Sequence, residues 1–180
     1  LNHYVGPADA GYLQIGMQLL NLTTVIASAA SMVIFGKIVS IGADAAWLEH
    51  RKLIWQITLL MCFFSVLGYL LSPQVIIFLL GVEYHELGDL FQIMVFCSIG
   101  MTMSILMAPQ WIGRGYFALT STLTVLILFV NIIGNFTLIP LYGAQGAVIM
   151  LLITYGLAFI INCSMAFYCE YRMKINFNKS

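Results

Sequence analysis

Long apolar runs separated by short polar breaks organise this chain. At about 20 residues per crossing of a hydrocarbon core, they predict five membrane-crossing helices. The first run, residues 11–35, has only uncharged polar interruptions and ends at Gly36 and Lys37. A charged connection with Asp44, Glu49, His50, Arg51 and Lys52 leads to the second, residues 53–71. Ser72 and Pro73 predict its end, because proline disfavours helix in the residue before it. Residues 75–80 are apolar but too short to cross, which predicts an interfacial helix or a re-entrant piece. The third run, residues 87–107, carries Asp89 near its start, and Pro109, Gly113 and Gly115 predict the turn after it. The fourth, residues 116–139, stops at Pro140. Only Tyr142 and Gly143 separate it from the fifth, residues 145–168, before a polar tail beginning at Glu170.

Composition agrees with this pattern. Of 180 residues 62% are hydrophobic and 8% charged, against about 25% charged in an ordinary soluble domain. The mean hydropathy is +0.99. The fold class is therefore all-α: a single membrane domain built as a bundle of five transmembrane helices. The first ten residues lack a basic region, so no signal peptide is read there. The missing initiator Met predicts a fragment of a longer protein. Trp47, Trp55, Trp111, Tyr116, Tyr142, Tyr168 and Tyr171 fall near the expected helix ends, where aromatic rings favour the headgroup zone.

Net charge is zero, so the total favours neither nucleic acid nor an acidic surface; the placement of the charges is informative. Lys37, Arg51 and Lys52 lie between the first two spans, Arg114 between the third and fourth, and Arg172, Lys174 and Lys179 after the fifth. The opposite segments have no basic residue and carry Asp9, Glu83 and Glu86. Short cytoplasmic loops collect positive charge. The expected orientation puts the N-terminus outside and the C-terminus in the cytoplasm.

Chemistry-bearing residues are sparse. The acids are scattered rather than clustered for metal or acid–base work. His3, His50 and His85 stand alone in sequence. Gly113-Arg114-Gly115 lacks the spacing and lysine of a phosphate loop. The cysteines Cys62, Cys97, Cys163 and Cys169 show no disulfide or zinc spacing and read as apolar packing residues. No catalytic residue, metal or cofactor is expected. Two polar patterns are more informative. In the first span Gln14, Gln18, Asn21, Thr24, Ser28 and Ser31 recur at steps of four and three, on one helix face. Helix packing and a wet cavity wall fit this stripe about equally, because amides are bulky for a tight seam. In the fourth span Thr120, Thr124, Asn131 and Asn135 share a face, where packing is favoured.

Residues 131–147 combine Asn131 and Asn135, the stop Leu138-Ile139-Pro140, the turn Tyr142-Gly143 and the helix start Gly146-Ala147. Upstream stand Gly81-Val82-Glu83-Tyr84, and Val5-Gly6 through Gly11-Tyr12. In this order and spacing they resemble polysaccharide flippases of the O-antigen translocase type, in the superfamily that also holds lipid II flippases and multidrug exporters. The family often has a proline near the end of the first of these helices, and residues 31–37 have none. The resemblance implies the last five spans of a two-lobe transporter in the bacterial inner membrane. It also implies translocation of an undecaprenyl-diphosphate-linked oligosaccharide for surface polysaccharide synthesis, without covalent chemistry. Implied partners are the lipid bilayer, the lipid-linked substrate, and a polysaccharide polymerase or other assembly proteins. The corresponding helix in such flippases faces the central cavity, which would place Gln14, Gln18, Asn21, Thr24 and Ser28 along the substrate path. Gly81, Glu83, Tyr84, Asn131, Asn135, Pro140, Gly143 and Gly146 would then be structural. The rivals are a small-molecule exporter of the same superfamily and a non-transporting scaffold or truncated remnant.

Overall fold

The computed structural model describes residues 6–177, with the side chains of residues 7–9 and 176–177 left aside. His3, Val5, Lys179 and the side chain of Asp9 therefore lie outside the described residues. Those residues form helices only: α1 (Pro7–Thr23), α2 (Val25–Ile41), α3 (Ala43–Leu80), a 3-10 turn (Val82–Tyr84), α4 (His85–Met94), α5 (Cys97–Gly113) and α6 (Phe117–Phe177). Two of them, α3 and α6, are long and apolar enough to cross a membrane; four segments qualify when α1/α2 and α4/α5 each count as one bent span. This is a helical membrane protein.

The 61 residues of α6 are not one rod. Gly143 breaks it with φ 59° and ψ −134°, a conformation that glycine adopts without a side-chain clash. Asn131 Nδ2 donates to Thr154 Oγ1 at 2.8 Å, whereas a straight helix would hold the two about 35 Å apart. The arms run back along each other. Gly146 sits on the Leu138 carbonyl and Gly134 on the Met150 sulfur, and the hairpin stays closed out to Tyr116 and Tyr168, whose hydroxyls lie 2.9 Å apart.

The other helices pack around α4 and α5. α3 lies antiparallel to them: Ser65 meets Ser98 at 3.0 Å, and Gly88 approaches Pro73 so closely that a Cβ would stand 2.9 Å from its Cα. α1 and α2 run parallel to them, Tyr12 beside Glu83 and Ser31 beside Ile105. The second arm of α6 is parallel to α5, with Gly100 against the Tyr155 carbonyl. Leu106, Met107, Trp47 and Met165 form the core at one end, and Leu20, Met94, Cys97 and Val148 at the other.

Three expectations about helix ends are corrected. Pro73 does not end α3, so residues 75–80 continue that helix instead of forming a separate piece. Proline removes the N–H that would bond the carbonyl four residues back, and that carbonyl, Tyr69 O, instead accepts Gln92 Nε2 at 3.1 Å. Pro109 lies inside α5, which runs on to Gly113; the carbonyl it frees, Ile105 O, accepts Ser31 Oγ at 3.0 Å. Pro140 is likewise helical, and the stop falls at Gly143. The first span is bent: α1 and α2 meet at 43°.

Candidate functional site

The polar face of the first span divides at that bend. Thr23 Oγ1 and Thr24 Oγ1 donate to the carbonyls of Leu20 and Asn21 at 2.6 and 2.8 Å, and the Thr24 N–H bonds the Asn21 carbonyl at 3.1 Å. Hydroxyls that bond back to the preceding turn bend helices. After the bend, Ser28 donates to the Thr24 carbonyl at 3.0 Å and Ser31 to Ile105 of α5. These side chains are satisfied within the bundle. Before the bend, Gln14, Gln18 and Asn21 are exposed on the flank of α1. Their side chains make no hydrogen bond among the described residues.

A second bend lies beside the first. α4 and α5 meet at 50°, and around Val95 and Phe96 the bonds shorten to the 3-10 pattern, Phe96 N–H to Ile93 O and Ile99 N–H to Phe96 O, both at 3.3 Å. Ser65 Oγ donates to the Val95 carbonyl at 3.3 Å, and Gly68 leaves room for the Val95 side chain, whose Cγ2 would stand 2.8 Å from a Cβ there. Two parallel helices are thus broken at matching heights, with the amides of α1 just above the break.

The motif residues come together in two places. Tyr12 donates to the Glu83 carbonyl at 3.2 Å and its ring meets Tyr84 edge-on at 5.9 Å, while Gly81 ends α3 at φ 106°. The Gly-x-Glu-Tyr turn therefore holds the start of α1. Asn135 Nδ2 donates to Asn131 Oδ1 and Asn131 in turn to Thr154, each at 2.8 Å, so the two asparagines tie the hairpin together. Pro140 is exposed there, and Gly143 and Gly146 shape the turn.

Spacing alone missed a buried network at the opposite end. His50 and Gln110 are wholly buried, with Gln110 Nε2 on His50 Nδ1 at 3.0 Å. Arg114 Nε reaches Gln110 Oε1 at 3.3 Å, and Arg114 pairs with Asp44. Beside it Trp111 Nε1 donates to Asn162 Oδ1 at 2.9 Å. The available signal was Asn162 standing inside the fifth apolar run, where a polar group needs a partner. Every described Lys and Arg lies at this end. Lys37 pairs with Glu49, and Arg51 is held by both oxygens of Glu170 at 2.8 and 2.9 Å. Among the described residues no group of three or more His, Cys, Asp and Glu side chains could hold a metal ion.

Compared with protein families, curated proteins and solved structures, the chain has no match.

Proposed function

We propose that this chain is part of one lobe of a transporter that moves a lipid-linked oligosaccharide across the bacterial inner membrane. It crosses five times, through the two bent pairs, α3 and the two arms of α6. The basic end faces the cytoplasm. The observation that carries the proposal is the amide face of α1: Gln14, Gln18 and Asn21 stand exposed and unbonded directly before a helix break. Bare amides are costly against hydrocarbon, so they call for water or a polar ligand. Broken helices near the membrane midplane are where transporters build such sites. The family resemblance adds the substrate class, and the sugar hydroxyls of an oligosaccharide suit amide partners.

One observation favours the small-molecule exporter as the second reading. No described Lys or Arg stands near the amide face, so a diphosphate would have to find its cations on another part of the transporter.

The test is surface polysaccharide per flippase molecule in a complemented null strain. A hydrogen bond to substrate is worth roughly 1 kcal/mol, or about fivefold in rate. Gln18→Leu and Asn21→Leu should each lower export per molecule by about that factor, with protein level near normal. Unchanged export for both would remove the substrate path from α1 and leave the scaffold. Orientation is checked separately: cysteines replacing Glu86 and Tyr142 should react with an impermeant reagent in intact cells, and one replacing Ala45 should not. Labelling at Ala45 would reverse the topology.

A further inference from the structure

A groove of about 600 Å³ opens on the flank of the bundle between α3 and the second arm of α6, with Met103 of α5 in its lining. That volume falls within the range of small-molecule sites, roughly 300–1,000 Å³. Its walls are apolar along Ile54, Phe159, Cys163 and Ala166, and its mouth carries Arg51, Lys52 and Glu170. These charges are not equivalent. Arg51 is taken up by Glu170, which also accepts Trp47 Nε1 at 3.0 Å. Lys52 is exposed and has no partner among the described residues, so the mouth has one uncompensated positive charge.

A second observation lies deeper. Thr58 lines the same groove and is only 8% exposed, yet its Oγ1 has no hydrogen-bond partner. That oxygen is itself closed off from the groove, so the polar wall is left to Gln56. At 1.5 Å per residue Thr58 lies about 9 Å along α3 from Lys52, with Gln56 between them at the groove wall. Trp55 and Phe167 are 66% and 76% exposed at the groove.

The geometry points to a binding site for an anionic glycerophospholipid of the surrounding leaflet. Its phosphate meets Lys52, an ester oxygen accepts from Gln56, and an acyl chain lies along the apolar wall. Charge complementarity selects this occupant over a neutral lipid, since a basic segment at the membrane surface attracts anionic headgroups. The Gln56 amide at the groove wall selects an acyl ester over a bare hydrocarbon chain. The site needs the membrane setting but not the transport activity, so loss of either leaves the other standing.

The test uses the purified full chain in detergent, mixed with phosphatidylglycerol and phosphatidylcholine, with retained lipid counted by native mass spectrometry. Phosphatidylglycerol should be retained in preference. Lys52→Gln, at an exposed position, should lower that preference about fivefold, the scale of one basic side chain at an anionic surface, and leave phosphatidylcholine unchanged. Ala166→Phe should fill the groove and release both lipids while the helical circular dichroism stays intact. If Ala166→Phe does not fold, Lys52→Gln decides alone. Equal retention of the two lipids, or an unchanged preference in Lys52→Gln, would overturn the site. So would displacement of the lipid by excess inorganic phosphate, or a lipid-free dimer closed over the groove.

Discussion

Two helices of this bundle, α3 and α5, continue past an interior proline, whereas the bent pairs α1/α2 and α4/α5 break where no proline stands. α3 continues past Pro73 and α5 past Pro109, while α1/α2 and α4/α5 bend at Thr24 and at Val95–Phe96. The difference lies in where the backbone carbonyls find donors. At Pro73 and Pro109 a neighbouring helix supplies the missing one, Gln92 to Tyr69 O and Ser31 to Ile105 O. At each bend, side-chain hydroxyls compete for carbonyls the helix would otherwise use: Thr23 and Thr24 on their own preceding turn, Ser65 on Val95. In a membrane this exchange governs helix shape, because water does not replace a lost partner.

The largest expected effect is at Gln92. Gly88 lets α4 touch α3 at Pro73, and Gln92, one turn further along, then faces the carbonyl one turn back. Gln92→Leu leaves Tyr69 O without a donor and should cost about 1–3 kcal/mol. In a Pro73→Ala background the new N–H reaches the same carbonyl, so the cost of Gln92→Leu should shrink. A double-mutant cycle of unfolding free energies in mild detergent measures the coupling. Equal costs in the two backgrounds would show that Gln92 does not compensate the proline.

A smaller effect is expected at Ser31. Ser31→Ala removes the donor to Ile105 O, and membrane hydrogen bonds average about 0.6 kcal/mol. The loss should likewise diminish in Pro109→Ala, since the restored N–H takes over. Because Ser31 bridges α2 to α5, hydrogen exchange at residues 105–109 is the more sensitive readout. Unaltered protection there would separate Ser31 from the proline.

The apolar runs made the helical membrane class legible, because hydrophobic length alone decides what a bilayer accepts. Helix ends were less legible. Pro73 and Pro109 read as stops because the residues that compensate them stand on other helices, and local spacing does not contain that information. The face of six polar residues was visible as a period, but its division at Thr24 was not. A periodicity assumes a straight helix, and the adjacent hydroxyls Thr23-Thr24 were the only local sign of the bend. The Gln110–His50 pair was hidden for a similar reason: its members lie 60 residues apart, and each alone reads as an isolated polar residue near a helix end.

The smallest effect concerns those two threonines, and it separates cause from coincidence at the bend. Valine keeps the branched shape of threonine but cannot donate, so Thr23→Val with Thr24→Val removes both back-bonds without opening a cavity. If the hydroxyls bend the helix, the 43° angle should relax toward straight. Residues 14 and 40, about 15 and 24 Å from the bend at 1.5 Å per residue, would then move apart by about 2–3 Å. Spin labels at Gln14 and Ser40, both exposed, report that change as a shift in mean distance by pulsed electron resonance. Stability should change by no more than a few tenths of a kcal/mol, because the Leu20 and Asn21 carbonyls regain ordinary helical donors. An unchanged distance would mean that packing against the broken α4/α5 pair sets the angle. The two bends would then be one feature of the interface, and Ser65→Ala on α3 should move both.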